Sequence, residues 1–222
     1  MFSGILLAAG LSKRFGSQKL LVSIQSGQTL FEHTLRVHLE ADLSPLVAVV
    51  SERLLESLLK RCEGKSVCRI GRRASRSWFN LETPWGKVRL IVNKRPEEGM
   101  ADSLKLGLGV LSDPERQDGI LVSLADMPKV TPGVIRDLID IYQIERGKIV
   151  VPTFQGKIGH PVIIHEPSYR EEILKISGDK GLRDIIKANI RDVVYIPWSD
   201  DSVTADVDTI HDMENLLQGG KR

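Results

Sequence analysis

The sequence predicts an α/β protein: a single domain built on a doubly wound, mostly parallel sheet, with a β-ribbon insertion. Three observations carry this. Short continuous apolar runs such as GILLAA (4–9), PLVAVV (45–50) and GILVSL (119–124) suit strands buried on both faces. Stretches with helical spacing alternate with them, as crossovers between parallel strands require. Around residues 71–86 the alternation stops, and a basic, aromatic segment separates two strand candidates.

Each element has its own signal. Gly4–Ala9 is a buried strand ended by Gly10. Gln28–Leu39 places Leu30, Phe31, Leu35, Val37 and Leu39 on a helical stripe. Pro45–Val50 is the second strand, followed by a helix through Leu54–Cys62. VCRI (67–70) and VRLIVN (88–93) read as strands flanking the long segment GRRASRSWFNLETPWG. That arrangement suits a β-ribbon better than another βαβ unit. A helix over Asp102–Leu111 precedes the strand Gly119–Leu124. Thr131-Pro132 then starts the helix Gly133–Ile144, with Thr131 as N-cap and Pro132 at the first turn. Lys148–Pro152, Pro161–Ile164 and Val193–Ile196 read as strands, and Tyr169–Lys175, Gly181–Ala188 and Asp208–Leu217 as helices. No repeat, linker or composition shift marks a domain boundary, so residues 1–222 form one domain.

Composition narrows the function classes. The chain has 222 residues, 41% hydrophobic and 27% charged, with a formal net charge of +2. A balance so near neutrality argues against nucleic acid or membrane as partner. Two cysteines, Cys62 and Cys68, outside any CxxC or Cys/His cluster, read as reduced thiols of a cytoplasmic protein. The apolar run at the N-terminus is too short to span a bilayer.

In an open parallel sheet, ligands bind at the carboxyl ends of strands, which singles out three loops. After the first strand, Ala8, Ala9 and Gly10 allow close backbone approach, and Lys13, Arg14 and Lys19 follow. This is either a solvated charged loop or a triphosphate site; neither GxxxxGK[ST] nor GxGxxG is present. Gly107-Leu108-Gly109 lies within a helical pattern and is poor evidence for a dinucleotide. Asp126, directly after GILVSLA, is placed to hold Mg²⁺ or to cap a turn. In VTADVDT (203–209), Asp206 and Asp208 would share one side of an extended segment, roughly 7 Å apart. Asp208 reads better as a helix cap, which leaves Asp206 as the second metal ligand. His160, in a glycine-containing loop, is either a substrate contact or a turn histidine.

The ordered set of motifs resembles a known family. LAAGLSKRFGSQKLL (7–21) is similar to the signature L-A-A/G-G-x-x-x-R-(F/M)-G-x-x-K-(L/M) of nucleotidyltransferases with a glycosyltransferase-A-like, Rossmann-like fold. GMADSLKLGL (99–108), LADMPKVTP (124–132), GHPV (159–162), GDKGLRDII (178–186) and DVDT (206–209) follow in the family's order. The best match is the molybdenum cofactor cytidylyltransferase-like branch. The resemblance implies that Leu7, Ala8, Ala9 and Gly10 hold the nucleotide, and that Ala8-Ala9 favours CTP where Gly-Gly favours GTP. It implies that Arg14 and Lys19 bind the triphosphate and act in catalysis with Asp126, and that Gly99 and Ser103 line the nucleotide pocket. It makes Asp126 and Asp206 ligands of Mg²⁺ or Mn²⁺ and puts His160 on the cofactor side. The implied reaction transfers CMP from CTP to molybdopterin cofactor with release of pyrophosphate, and the product's recipient would be an apo-molybdoenzyme of the hydroxylase type. Alternatives are a guanylyltransferase, an NTP transferase with another phosphorylated acceptor, or a non-catalytic maturation factor. Two departures stand out: Ala125 where glycine is usual, and the long basic segment 71–86 with Arg72, Arg73, Arg76, Trp78 and Trp85. That segment is either a surface ribbon with aromatic packing or a docking patch.

Overall fold

The computed structural model describes residues 2–12, 14–16, 18–24, 27–63, 69–72, 78–111, 119–145 and 148–219. Lys13, Cys68, Arg73 and Arg76 lie outside them. Among the described residues ten strands join one sheet: β1 (Phe2–Ala8), β2 (Leu43–Ser51), β3 (Arg69–Arg72), β4 (Phe79–Thr83), β5 (Gly86–Asn93), β6 (Ile120–Leu124), β7 (Ile149–Phe154), β8 (Lys157–Ile158), β9 (Val162–Ile164) and β10 (Val193–Pro197). Their order is β10-β7-β9-β6-β1-β2-β5-β4-β3, with β8 paired to β7. The pairs β1–β2, β1–β6, β2–β5 and β7–β10 are parallel. β9 is inserted antiparallel between β6 and β7.

The alternation of the strands explains why both faces need cover. Leu6 and Ala8 of β1 pack with α1 (Leu30–Glu40), α2 (Glu52–Cys62), α4 (Pro132–Ile144) and α7 (Ile210–Gly219). Ile5, Leu7 and the following Ala9 pack with α3 (Met100–Leu111), α5 (Glu166–Lys175) and α6 (Arg183–Ala188). Gly107 lets α3 settle onto the sheet: a Cβ there would lie 2.7 Å from Ile5 Cγ2. The helix starts follow local chemistry. Thr29 and Glu32 form a reciprocal capping box on α1, and Thr131 caps α4 through Val134 N–H with Pro132 at the first position.

The expected ribbon is a three-stranded antiparallel meander, β3–β4–β5, at the sheet edge. β4 falls within the stretch read as a long loop; its FNLET sequence is too short and too polar to stand out. Phe79 and Trp85 pack onto the core, and the Arg89 guanidinium lies 5.5 Å from the Trp78 ring. Cys62, ending α2, is disulfide-bonded, which corrects the reduced thiol expected from composition. Cysteine count carries no geometry. No helix among the described residues is long and apolar enough to cross a membrane.

One buried group gives the fold a pH dependence. His38 in α1 is fully buried; Nδ1 donates to the Thr34 carbonyl at 2.7 Å, while Nε2 has no partner among the described residues. Burial pushes its imidazole down to about 4, against the pull of that carbonyl. The unfolded chain takes up this proton below pH 6.5 and the folded one only near pH 4, so stability falls as pH falls through that window. The expected loss by pH 4 is about 3 kcal/mol. Urea unfolding at pH 7.5 and 4.5 should show a drop that His38→Leu makes smaller; an equal drop in both proteins would remove His38 as its source.

Candidate active site

The strand order reverses at β1: the chain moves outward to β2 and then returns to place β6 on the other side. The crevice beyond the carboxyl ends of β1 and β6 is therefore the favoured ligand site. A cavity of about 320 Å³ lies there. Leu7, Ala8, Ala9, Gly10, Arg14, Lys19, Gly99, Ser103 and Asp126 all border it. These residues come from three distant segments, 7–19, 99–103 and 126, and the fold brings them to one place.

The β1 loop is drawn together by charge. Lys19 opens a short 3-10 turn (Lys19–Leu21), and its ammonium is largely buried, 2.7 Å from Asp126 Oδ2 and 3.0 Å from Asp208 Oδ1. Burial alone pulls this ammonium down, but the Asp126 charge and the hydrogen bonds to both carboxylates outweigh it. The group is held above the ordinary lysine value. Two of its three N–H donors are taken, leaving one for a ligand. Arg14 is exposed and donates to Asp208 Oδ2 at 3.0 Å.

Asp126 follows β6 in a turn braced from several sides. Ala125 N–H donates to the Leu7 carbonyl, Thr34 Oγ1 to the Ala125 carbonyl, and Val207 N–H to the Asp126 carbonyl. Its Oδ1 is buried without a hydrogen-bond partner among the described residues. An orphaned carboxylate oxygen, with further carboxylates nearby, fits a hard divalent cation. Magnesium needs only one or two such ligands when waters and phosphate oxygens complete the shell. Among the described residues no group of three or more His, Cys, Asp or Glu is arranged to hold a metal.

The 203–209 segment alternates as expected: Val207 is buried and the aspartates flank it. The roles of the two differ from the sequence reading. Asp208 does not cap α7; Thr209 does, accepting from Asp212 N–H while Asp212 Oδ2 accepts from the Asp208 and Thr209 N–H groups. Asp208 instead borders the cavity and holds both cations, and Asp206 lies off the cavity wall. Burial, then the charges of Asp208 and Asp126, push the Asp206 carboxyl up. Asp206 thus senses the same electrostatic cluster.

His160 does not line the cavity. Its backbone N–H donates to the Val203 carbonyl at 2.7 Å, and its Nδ1 is buried without a partner among the described residues. Burial pushes its ring down to about 4, against the Val122 carbonyl and the Asp126 charge. The imidazole is therefore neutral near pH 7.

The other wall joins two of the motifs. Gly99, at φ +97°, packs so tightly on the 178–181 turn that a Cβ would lie 2.4 Å from the Gly178 carbonyl carbon. Sequence reasoning missed Asp179 and Glu97, which border the cavity, and Asn93, which is buried behind Ser103. A single Asn or Asp at an element's end carries no local signal of such a role.

Residues 4–193 match the MobA-like NTP transferase domain. The chain is similar to the nicotine blue oxidoreductase of Paenarthrobacter nicotinovorans, at 28% identity over 222 residues, covering 97% of this chain and 96% of that protein. It shares its fold with Rv0371c of Mycobacterium tuberculosis H37Rv in complex with manganese (TM-score 0.67, 23% identity, 98% of each chain). It also shares it with molybdopterin-guanine dinucleotide biosynthesis protein A of Archaeoglobus fulgidus (TM-score 0.63, 19% identity, 99% of this chain and 98% of that one).

Proposed function

The chain belongs to the MobA-like NTP transferase family and is a nucleotidyltransferase, and we propose that it transfers CMP from CTP to molybdopterin cofactor. The observation that carries this reading is the convergence of Ala8-Ala9-Gly10, Arg14, Lys19, Gly99, Ser103 and Asp126 on one cavity. Ala8-Ala9 is the pair that the family resemblance links to cytidine. The A. fulgidus neighbour is named for molybdopterin-guanine dinucleotide biosynthesis, so the acceptor class has a precedent within the fold.

In this reading the backbone at Leu7–Gly10 holds the nucleotide while Arg14 and the remaining Lys19 N–H meet the triphosphate. Asp126, with Asp206 near it, would hold Mg²⁺ or Mn²⁺; the bound cation supplies neutralisation of phosphate charge. A terminal phosphate oxygen of the acceptor attacks the α-phosphorus of CTP. The bond from that phosphorus to the bridging oxygen breaks, and pyrophosphate leaves with the electron pair. The nucleophile is already anionic, so the protein needs no general base; positioning and charge stabilisation carry catalysis. Neutral His160, close to the Asp126 charge, stands behind the acceptor side. Residues 1–222 act as one domain, and the product passes to a molybdenum hydroxylase apoenzyme.

A second reading has its own observation, the 28% identity to an enzyme named as an oxidoreductase. One experiment separates the two. The protein is incubated with molybdopterin cofactor, divalent metal and CTP, GTP, UTP or ATP in turn, and the product is identified by mass. The expected result is the cytidine dinucleotide with stoichiometric pyrophosphate. Preference for GTP would replace cytidine with guanosine. No nucleotidyl product, together with oxidation or reduction of nicotine blue, would favour the oxidoreductase.

A further inference from the structure

Asn93 ends β5 and is almost completely buried. Its Oδ1 accepts from the Arg95 backbone N–H at 2.8 Å, and its Nδ2 donates to Ser103 Oγ at 2.9 Å. These two bonds fix the amide's orientation, because only the oxygen can accept from Arg95 and only the nitrogen can donate. Ser103 sits in the first turns of α3, faces the cavity, and has Asn93 as its side-chain partner among the described residues. A hydroxyl has one hydrogen and two lone pairs. With a lone pair engaged by Asn93, the hydrogen remains for the cavity.

We infer that Asn93 is a positioning residue for nucleobase selection: it makes Ser103 a hydrogen-bond donor toward the ligand, so that the pocket takes the acceptor edge of a pyrimidine. This rests on reading the cavity as the nucleotide site. Cytosine offers the ring N3 and O2 as adjacent acceptors along one edge. A serine free of Asn93 could turn its hydrogen elsewhere, including back to the carbonyl four residues before it in the helix. Asn93 thus acts at a distance from the ligand, through the polarity of one hydroxyl.

The test measures CTP turnover in the wild type, Asn93→Asp, Ser103→Ala and the double variant, with unfolding midpoints taken alongside. An aspartate at 93 keeps the shape and the bond from Arg95 but has no N–H, so Ser103 must donate to it and shows the cavity only lone pairs. The expected result is a roughly tenfold rise in KM for CTP, with kcat within about twofold, for each single variant. In the Ser103→Ala background, Asn93→Asp should add no more than about twofold. A rise of equal size in both backgrounds would mean that Asn93 merely supports the wall and would overturn the inference. If Asn93→Asp does not fold, Ser103→Ala decides alone, since it removes only the hydroxyl; wild-type KM there overturns it. Failure of the wild type to use CTP is a different outcome, because it strikes the cytidine reading itself.

Discussion

Asp126→Asn is expected to abolish metal-dependent pyrophosphate release while the protein stays folded, with a loss in kcat of about a thousandfold. The side chain does two things here. Its Oδ2 is 2.7 Å from the Lys19 ammonium, and its buried Oδ1 has no partner among the described residues. An amide keeps the volume but removes the charge from both. Lys19 would then lean on Asp208 alone, and the anionic oxygen aimed at a cation would be gone. Pyrophosphate release across a magnesium titration, with circular dichroism as the folding control, checks it. Turnover within tenfold of the wild type at saturating metal would reject Asp126 as a ligand.

Gly99→Ala is the second large effect. At φ +97° an L side chain is strained, and the new Cβ would meet backbone at Gly178 and the Asp179 carboxylate at 2.7 Å. A backbone carbonyl cannot rotate away as a flexible side chain would, so the 178–181 turn must move as a unit. The expected cost is about 2–3 kcal/mol in urea unfolding, together with weaker CTP binding as the cavity wall shifts. Gly109→Ala is the control. It lies near the C-terminal end of α3, no described residue stands within 4 Å of its added Cβ, and it should be neutral or mildly stabilising. If both substitutions behave alike, the close contact between the two motifs is not what holds this wall.

Much of the fold was legible because strong local patterns survived in it. The runs at 4–9, 45–50 and 119–124 became β1, β2 and β6, strands of the sheet interior with a hydrophobic cluster on each face. Thr131-Pro132 marked the start of α4, which opens at Pro132, one residue before the expected Gly133. What escaped notice was short or atypical: β4, with five residues rich in polar groups, and β8, with two. The antiparallel sense of β9 was illegible for another reason. A buried strand has the same apolar composition in either direction, so only its neighbours decide.

The candidate site divides along the same line. By itself the sequence determined which chemistry was available: small residues after β1, the basic positions Arg14 and Lys19, and an aspartate just past β6. Those choices are local, set by what a strand end and an approaching phosphate tolerate. Only the tertiary structure decided how the groups are paired. On paper Asp206 has the better claim to the site, because Asp208 reads as a helix cap. Folding brought Asp208 to Lys19 across 189 positions of sequence and gave the helix cap to Thr209. Likewise Asn93 and Ser103 lie ten residues apart, in a strand and a helix, and only their packing sets which way a hydroxyl points. Ion pairs and hydrogen bonds depend on distances of a few tenths of an ångström, and no spacing along a chain encodes those until the chain has folded.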